Sequence, residues 1–159
     1  MSTPPVAPWE MPDYFFRDAL QIDCSSAAAA NLDEQKNAGC EIHPRYWYMD
    51  AWHRCVQCQE TFWFMAEEQR TWYEVHKFDP NSYPNRCRAC RAVRRQAKLA
   101  SQQYGLRRAE AIKRTASAEL KKEVLGYLED LERDGRPLSD RMLETRSVLE
   151  KHLRVTGDG

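Results

Sequence analysis

Apolar residues recur at helical spacing through the last third of the chain: Leu120, Val124, Tyr127, Leu128 and Leu131, and then Leu138, Met142, Leu149 and Leu153. Each set lines one face of a 3.6-residue helix. Between them, Gly135-Arg136-Pro137-Leu138-Ser139 supplies a C-terminal glycine, a proline and an N-cap serine. The pattern predicts helices over 116–134 and 139–154, paired as an αα-hairpin over 106–155. Its leucine stripes would pack on each other, on the central segment or on a second chain.

A further helix is predicted over 86–104, where neither proline nor glycine occurs. At about 100° per residue, Arg88, Arg91, Arg94, Arg95 and Lys98 fall within roughly a third of the helical wheel. Ala89, Val93, Ala97 and Ala100 fall on the other side, and Gly105 is a natural stop. Upstream, His43-Pro44-Arg45-Tyr46-Trp47-Tyr48-Met49 is an aromatic lead-in, and Thr61-Phe62-Trp63-Phe64 has strand composition. Ala66 to Lys77 reads as a short helix, and Asp79-Pro80-Asn81-Ser82-Tyr83-Pro84 reads as a loop. Residues 1–40, with Pro4, Pro5, Pro8, Pro12 and an Ala27–Ala30 run, read as a largely disordered arm. Within that arm only Tyr14 to Leu20 is apolar enough to dock or to form a short helix.

Charge alters this picture locally. The chain has 24 basic and 24 acidic residues, yet residues 84–114 hold ten basic side chains and one acidic one. The helix over 86–104 therefore carries a cationic stripe. No apolar run approaches the roughly 20 residues that span a bilayer, and the N-terminus lacks the basic and apolar regions of a secretory leader. A cytoplasmic location with no membrane partner is expected.

Two identical cysteine pairs, Cys55-Val56-Gln57-Cys58 and Cys87-Arg88-Ala89-Cys90, carry the clearest chemistry. A two-residue gap lets both sulfurs of a pair turn to one centre, and four thiolates complete a tetrahedral Zn²⁺ shell. The 28 residues between the pairs exceed the common spacing, so an extra element, the short helix, sits between the knuckles. A four-thiolate iron centre has the same spacing. Paired cysteines also serve redox chemistry or a disulfide framework, but two pairs in one short segment weaken the first reading and the absence of a leader weakens the second. Cys24 and Cys40 lie outside the motif and read as free thiols. His43, His53 and His76 are conceivable replacement ligands, His53 foremost because it stands two residues before Cys55.

His43-Pro44-Arg45-Tyr46, the Cys55/Cys58 pair with Phe62 after it, Ala66-Glu67-Glu68-Gln69 leading into Trp72-Tyr73, and Arg86-Cys87-Arg88-Ala89-Cys90-Arg91 also occur in this order. The segment from His43 to about Lys98 thereby resembles the probable zinc-ribbon family of bacteria, whose members look like treble-clef zinc fingers. The resemblance implies a knuckle on a β-hairpin and a second cysteine pair at the start of a helix, and it implies no particular activity. Members usually have Gly after the second cysteine of the first knuckle, where this chain has Gln59. The expected fold class is a small metal-stabilised α+β domain at 41–104, a treble-clef-like zinc module, followed by the αα-hairpin.

A closed four-thiolate shell has no position for substrate or water, so Glu67, Glu68 and Glu74 read as a solvated helix face and no enzyme is expected. Trp47, Trp52, Trp63 and Trp72 are either a base-stacking platform or, more simply, the core pinned by the metal. The expected function is a non-enzymatic binding module with structural zinc, whose basic helix (Arg88, Arg91, Arg94, Arg95, Lys98) contacts RNA, DNA or a ribonucleoprotein. The competing reading is a protein-interaction adaptor that docks or dimerises through helices 116–134 and 139–154.

Overall fold

The computed structural model describes residues 6–11, 13–36 and 44–157, which form two compact units, Met1–Cys87 and Arg88–Gly159. In the first, strands β1 (Gln21–Ala29), β2 (Trp47–Arg54) and β3 (Thr61–Phe64) make an antiparallel sheet in the order β1-β2-β3. Aromatic and β-branched side chains suit β2 and β3 to this pleated surface. Ala51 pairs with Phe64, Trp52 with Trp63 and His53 with Phe62. After β3 comes helix α1 (Ala66–Arg70), prolonged by a π-helical turn over Thr71–Val75.

The arm expected to be largely disordered over 1–40 is structured through most of its described length. Met11, Phe15 and Phe16 bury themselves against Met49 and Ala51, and β1 is the third strand of the sheet. Its serine- and alanine-rich composition hides this, because the strand is stabilised by β2 rather than by its own propensity. The register breaks between Asp23 and Ala28. There the Ser25 N–H donates to Asp23 Oδ1 at 2.9 Å, and Ser26 Oγ accepts from the Asp50 N–H at 2.7 Å. The polar residues that look loop-like thus satisfy a bulge.

Arg45 fastens the same unit from inside. It is 1% exposed, its guanidinium donates to the Phe15 carbonyl at 2.6 Å and to that of Pro80, and it lies over the rings of Phe15, Phe16 and Tyr73 at 4.9, 5.4 and 4.8 Å. Burial lowers the pKa of the guanidinium. Aromatic faces and carbonyls take the place of a carboxylate partner. Burial also pushes the Tyr73 hydroxyl up to about 12, against the pull of Arg45.

The second unit contains α2 (Arg88–Ala111), α3 (Ala118–Arg133) and α4 (Asp140–Gly157). Ala97, Tyr104 and Ala111 pack in one cluster with Val124, Leu128, Leu131 and Leu149; each fully buried aliphatic side chain contributes about 1.5–3 kcal/mol. Two expectations change here. The apolar arc of the 86–104 helix is not uniformly used: Ala97 belongs to this buried cluster, whereas Ala89 is exposed. Nor does Gly105 stop the helix, and the expected boundaries at 104 and 106 disappear with it. A Cβ at this position would meet nothing, so packing does not require glycine there; burial of Tyr104 and Ala111 on either side outweighs a propensity cost of about 1 kcal/mol.

The other helix boundaries follow local chemistry. The Ser117 side chain accepts from the Leu120 N–H at 3.2 Å at the start of α3. At its end Gly135 takes φ +76°, and its N–H donates to the Glu132 carbonyl at 2.8 Å. Among the described residues no helix is long and apolar enough to cross a membrane.

Candidate metal centre

Cys55 directly follows β2, and its N–H still continues the hairpin by donating to the Glu60 carbonyl at 2.9 Å. The chain then turns sharply, the Gln59 N–H reaching back to the Cys55 carbonyl at 3.0 Å with Gln59 at φ +63°. This is the left-handed conformation for which the family pattern carries glycine. Gln59 adopts it and donates its side-chain amide to the Val56 carbonyl at 3.2 Å. The loop before α2 is tied to the same turn: the Val56 N–H donates to the Asn85 carbonyl at 3.0 Å, and Arg86 Nε to Gln57 Oε1 at 3.2 Å. Cys87 immediately precedes α2 and Cys90 lies in its first turn.

These connections bring Cys55, Cys58, Cys87 and Cys90 together, with all four sulfurs within 4.8 Å of one another and Cys58 Sγ 3.9 Å from Cys87 Sγ. A metal held tetrahedrally by four thiolates at about 2.3 Å would set the sulfurs ~3.8 Å apart. The cluster therefore fits a four-thiolate ion with sub-ångström to one-ångström adjustments. Burial pushes the Cys55 thiol up, but backbone N–H donation from Cys58, Cys87 and Gln57 outweighs it and brings the group down to about 6. The backbone of the turn thus favours the thiolate, the form that binds metal.

Residues 49–98 match the family of probable treble clef domains. The matched stretch covers about a third of the chain and includes all four clustered cysteines. Its elements are those a treble clef needs: a knuckle between two antiparallel strands and a second cysteine pair opening a helix. No curated protein and no solved structure matches the chain.

The histidines stand apart from the treble clef's sulfurs. His53 is buried, its ring stacked on Tyr83 at 5.4 Å and on Phe62 at 5.9 Å, and burial lowers its pKa, with Arg45 adding to the shift. His76 is exposed beside Phe78. His43 and Cys40 lie outside the described residues; Cys24 is exposed on β1. Among the carboxylates, Glu74 accepts from the Asn31 N–H at 2.8 Å, a role in joining segments. The tryptophans divide: Trp72 packs edge-on to Phe64 and Phe78, Trp47 donates to the Val6 carbonyl at 2.7 Å, and Trp52 and Trp63 meet across β2 and β3 with centroids 4.1 Å apart and rings tilted by 37°.

Of the basic side chains, Arg88, Arg95 and Lys98 are exposed and make no ion pair among the described residues. Arg94 reaches Asp134 at 3.4 Å. That difference follows from the wheel, since Arg94 lies at the edge of the cationic arc nearest the buried alanines. Arg91 is half-buried. Sequence reasoning missed the polar groups that steady the sheet under the knuckle. Gln69 is buried and donates to the Phe64 carbonyl at 2.8 Å and to that of Met49. An internal glutamine of this kind has no spacing signal, because its partners are backbone carbonyls.

Proposed function

We propose that the treble clef holds one structural zinc ion through Cys55, Cys58, Cys87 and Cys90, and that the protein is a non-enzymatic module binding nucleic acid through the cationic face of α2. Soft thiolates in a tetrahedral set favour zinc, and four of them fill its shell. The observation that carries the partner is the exposure of Arg88, Arg95 and Lys98 together on one arc, opposite the face that buries Ala97, Ala100 and Tyr104. Such an arc can lie along a phosphate backbone without displacing any packing. No base-reading motif accompanies it, so contact with phosphates and little sequence preference are expected. The adaptor reading has less support, because most of the stripe residues it would use, among them Leu120, Val124, Leu128, Leu131, Met142 and Leu149, are already packed in one cluster.

The test is a salt series with mixed RNA and DNA oligomers, comparing wild type with Arg88→Gln/Arg95→Gln/Lys98→Gln. Loss of three phosphate contacts should weaken binding and lower the log–log salt slope by about 2 to 3 units. An unchanged slope, or no wild-type binding at low salt, would remove the nucleic-acid reading.

A further inference from the structure

A cleft of about 390 Å³ within the helical unit is lined by Arg114, Lys121, Lys151 and His152 together with Val148 and Val155. Pockets of this size take small organic ligands. Among the described residues no carboxylate lines it. Lys121 is its unusual member, standing on the same stripe of α3 as the buried Val124, Leu128 and Leu131, where an aliphatic residue would serve the core. It is 2% exposed, and its ammonium donates to the Arg114 carbonyl at 3.0 Å without an ion pair among the described residues. Lysine is almost never fully buried unless paired, and a desolvated charge satisfied by a carbonyl alone costs stability. Breaks of the core pattern at such a cost are expected at functional or strained sites.

We propose that this cleft binds a small phosphate ester, its phosphate facing Lys121, Lys151 and Arg114 and its apolar substituent lying against Val148 and Val155. Several cations in one cleft suit a group carrying close to two negative charges at neutral pH better than a monocarboxylate. The two valines favour an ester over inorganic phosphate. The cleft shares no residue with the cysteine cluster or the α2 arc, and it stands whether or not the protein binds nucleic acid.

Calorimetric titration of the full-length, metal-loaded protein with phenyl phosphate, inorganic phosphate and benzyl alcohol tests this. Phenyl phosphate should bind at one site with an affinity that falls with salt, inorganic phosphate more weakly, and benzyl alcohol not detectably. Arg114→Gln/Lys151→Gln, at two exposed positions where the fold is not at risk, should weaken phenyl phosphate by at least about tenfold. Lys121→Met should abolish binding and raise the unliganded Tm, since it removes a buried charge while keeping side-chain volume. The proposal is overturned if phenyl phosphate fails to bind at millimolar concentration, or binds the double variant unchanged. It is equally overturned if only an oligonucleotide binds, sensitive to these substitutions, while phenyl phosphate neither binds nor competes; the cations would then belong to a nucleic-acid surface.

Discussion

Gln35 grips the backbone of Arg45 with both ends of its carboxamide: Nε2 donates to the Arg45 carbonyl at 2.7 Å, and Oε1 accepts from the Arg45 N–H at 3.0 Å. The same Nε2 lies 3.1 Å from the Tyr48 hydroxyl. Both residues are buried, so a segment far from the knuckle in sequence fixes the entry into β2. Gln35→Leu should leave one buried N–H and one buried carbonyl unpaired, a loss of about 2–4 kcal/mol. All five tryptophans lie before residue 88, so their emission reports unfolding of this unit alone. A lower urea midpoint at constant slope is the expected result, and an unchanged midpoint would show that water reaches both groups.

Gln59 occupies a backbone conformation that costs an ordinary residue about 1–2 kcal/mol. Replacement by glycine relieves this cost but gives up the bond to the Val56 carbonyl and adds freedom to the unfolded chain. Relief is the larger effect, and Gln59→Gly should stabilise the unit by about 0.5–1 kcal/mol. Gln59→Val, branched at Cβ, should destabilise it by more than that. Denaturant midpoints followed by tryptophan emission measure both, and the opposite order would show that the turn relaxes out of the left-handed region.

The cysteine cluster was legible because metal geometry leaves its mark on spacing: two pairs with the same gap report one centre even when 28 residues separate them. The helical hairpin was legible for a similar reason, the period of its leucines being the period of the helix. β1 was not, since Ser25, Ser26 and the alanines around them gain their strand from pairing with β2 and from a bulge closed partly by Asp23 and partly by the distant Asp50 N–H. Nor was the run of α2 through Gly105, where tertiary burial of Tyr104 and Ala111 overrides the local signal. Arg45 was visible as part of a motif, but the rings around it come from Phe15, Phe16 and Tyr73, distant positions that no periodicity connects. Lys121 was hidden in plain view, a cation at a core position of an otherwise regular stripe.

Metal stoichiometry separates the clustered cysteines from Cys24, which lies on β1. Elemental analysis of purified protein should give one zinc per chain in the wild type and in Cys24→Ser, and much less in Cys58→Ser. Structural zinc supplies on the order of 10 kcal/mol or more to its module, so Cys58→Ser should also broaden tryptophan-detected unfolding or abolish its cooperativity. Full zinc occupancy in Cys58→Ser would show that three thiolates and another group suffice, and the four-sulfur site would have to be redrawn.

Leu128 is fully buried among Val124, Leu131 and Leu149, and this changes what a substitution there can mean. Leu128→Asp loses about 1.5–3 kcal/mol of burial and places a carboxylate in an apolar core at several kcal/mol more. Together these are comparable to the entire stability of a small unit, about 5–15 kcal/mol. The expected result is loss of helical circular dichroism from α2, α3 and α4, so failure of the variant to recover a partner would report unfolding and not a missing interface. Leu143, exposed on α4, provides the informative comparison. Leu143→Glu should hold stability within about 0.5 kcal/mol of wild type. A partner lost from Leu143→Glu with the circular dichroism intact would restore the adaptor reading, and a partner retained would leave the cationic face of α2 as the surface to pursue.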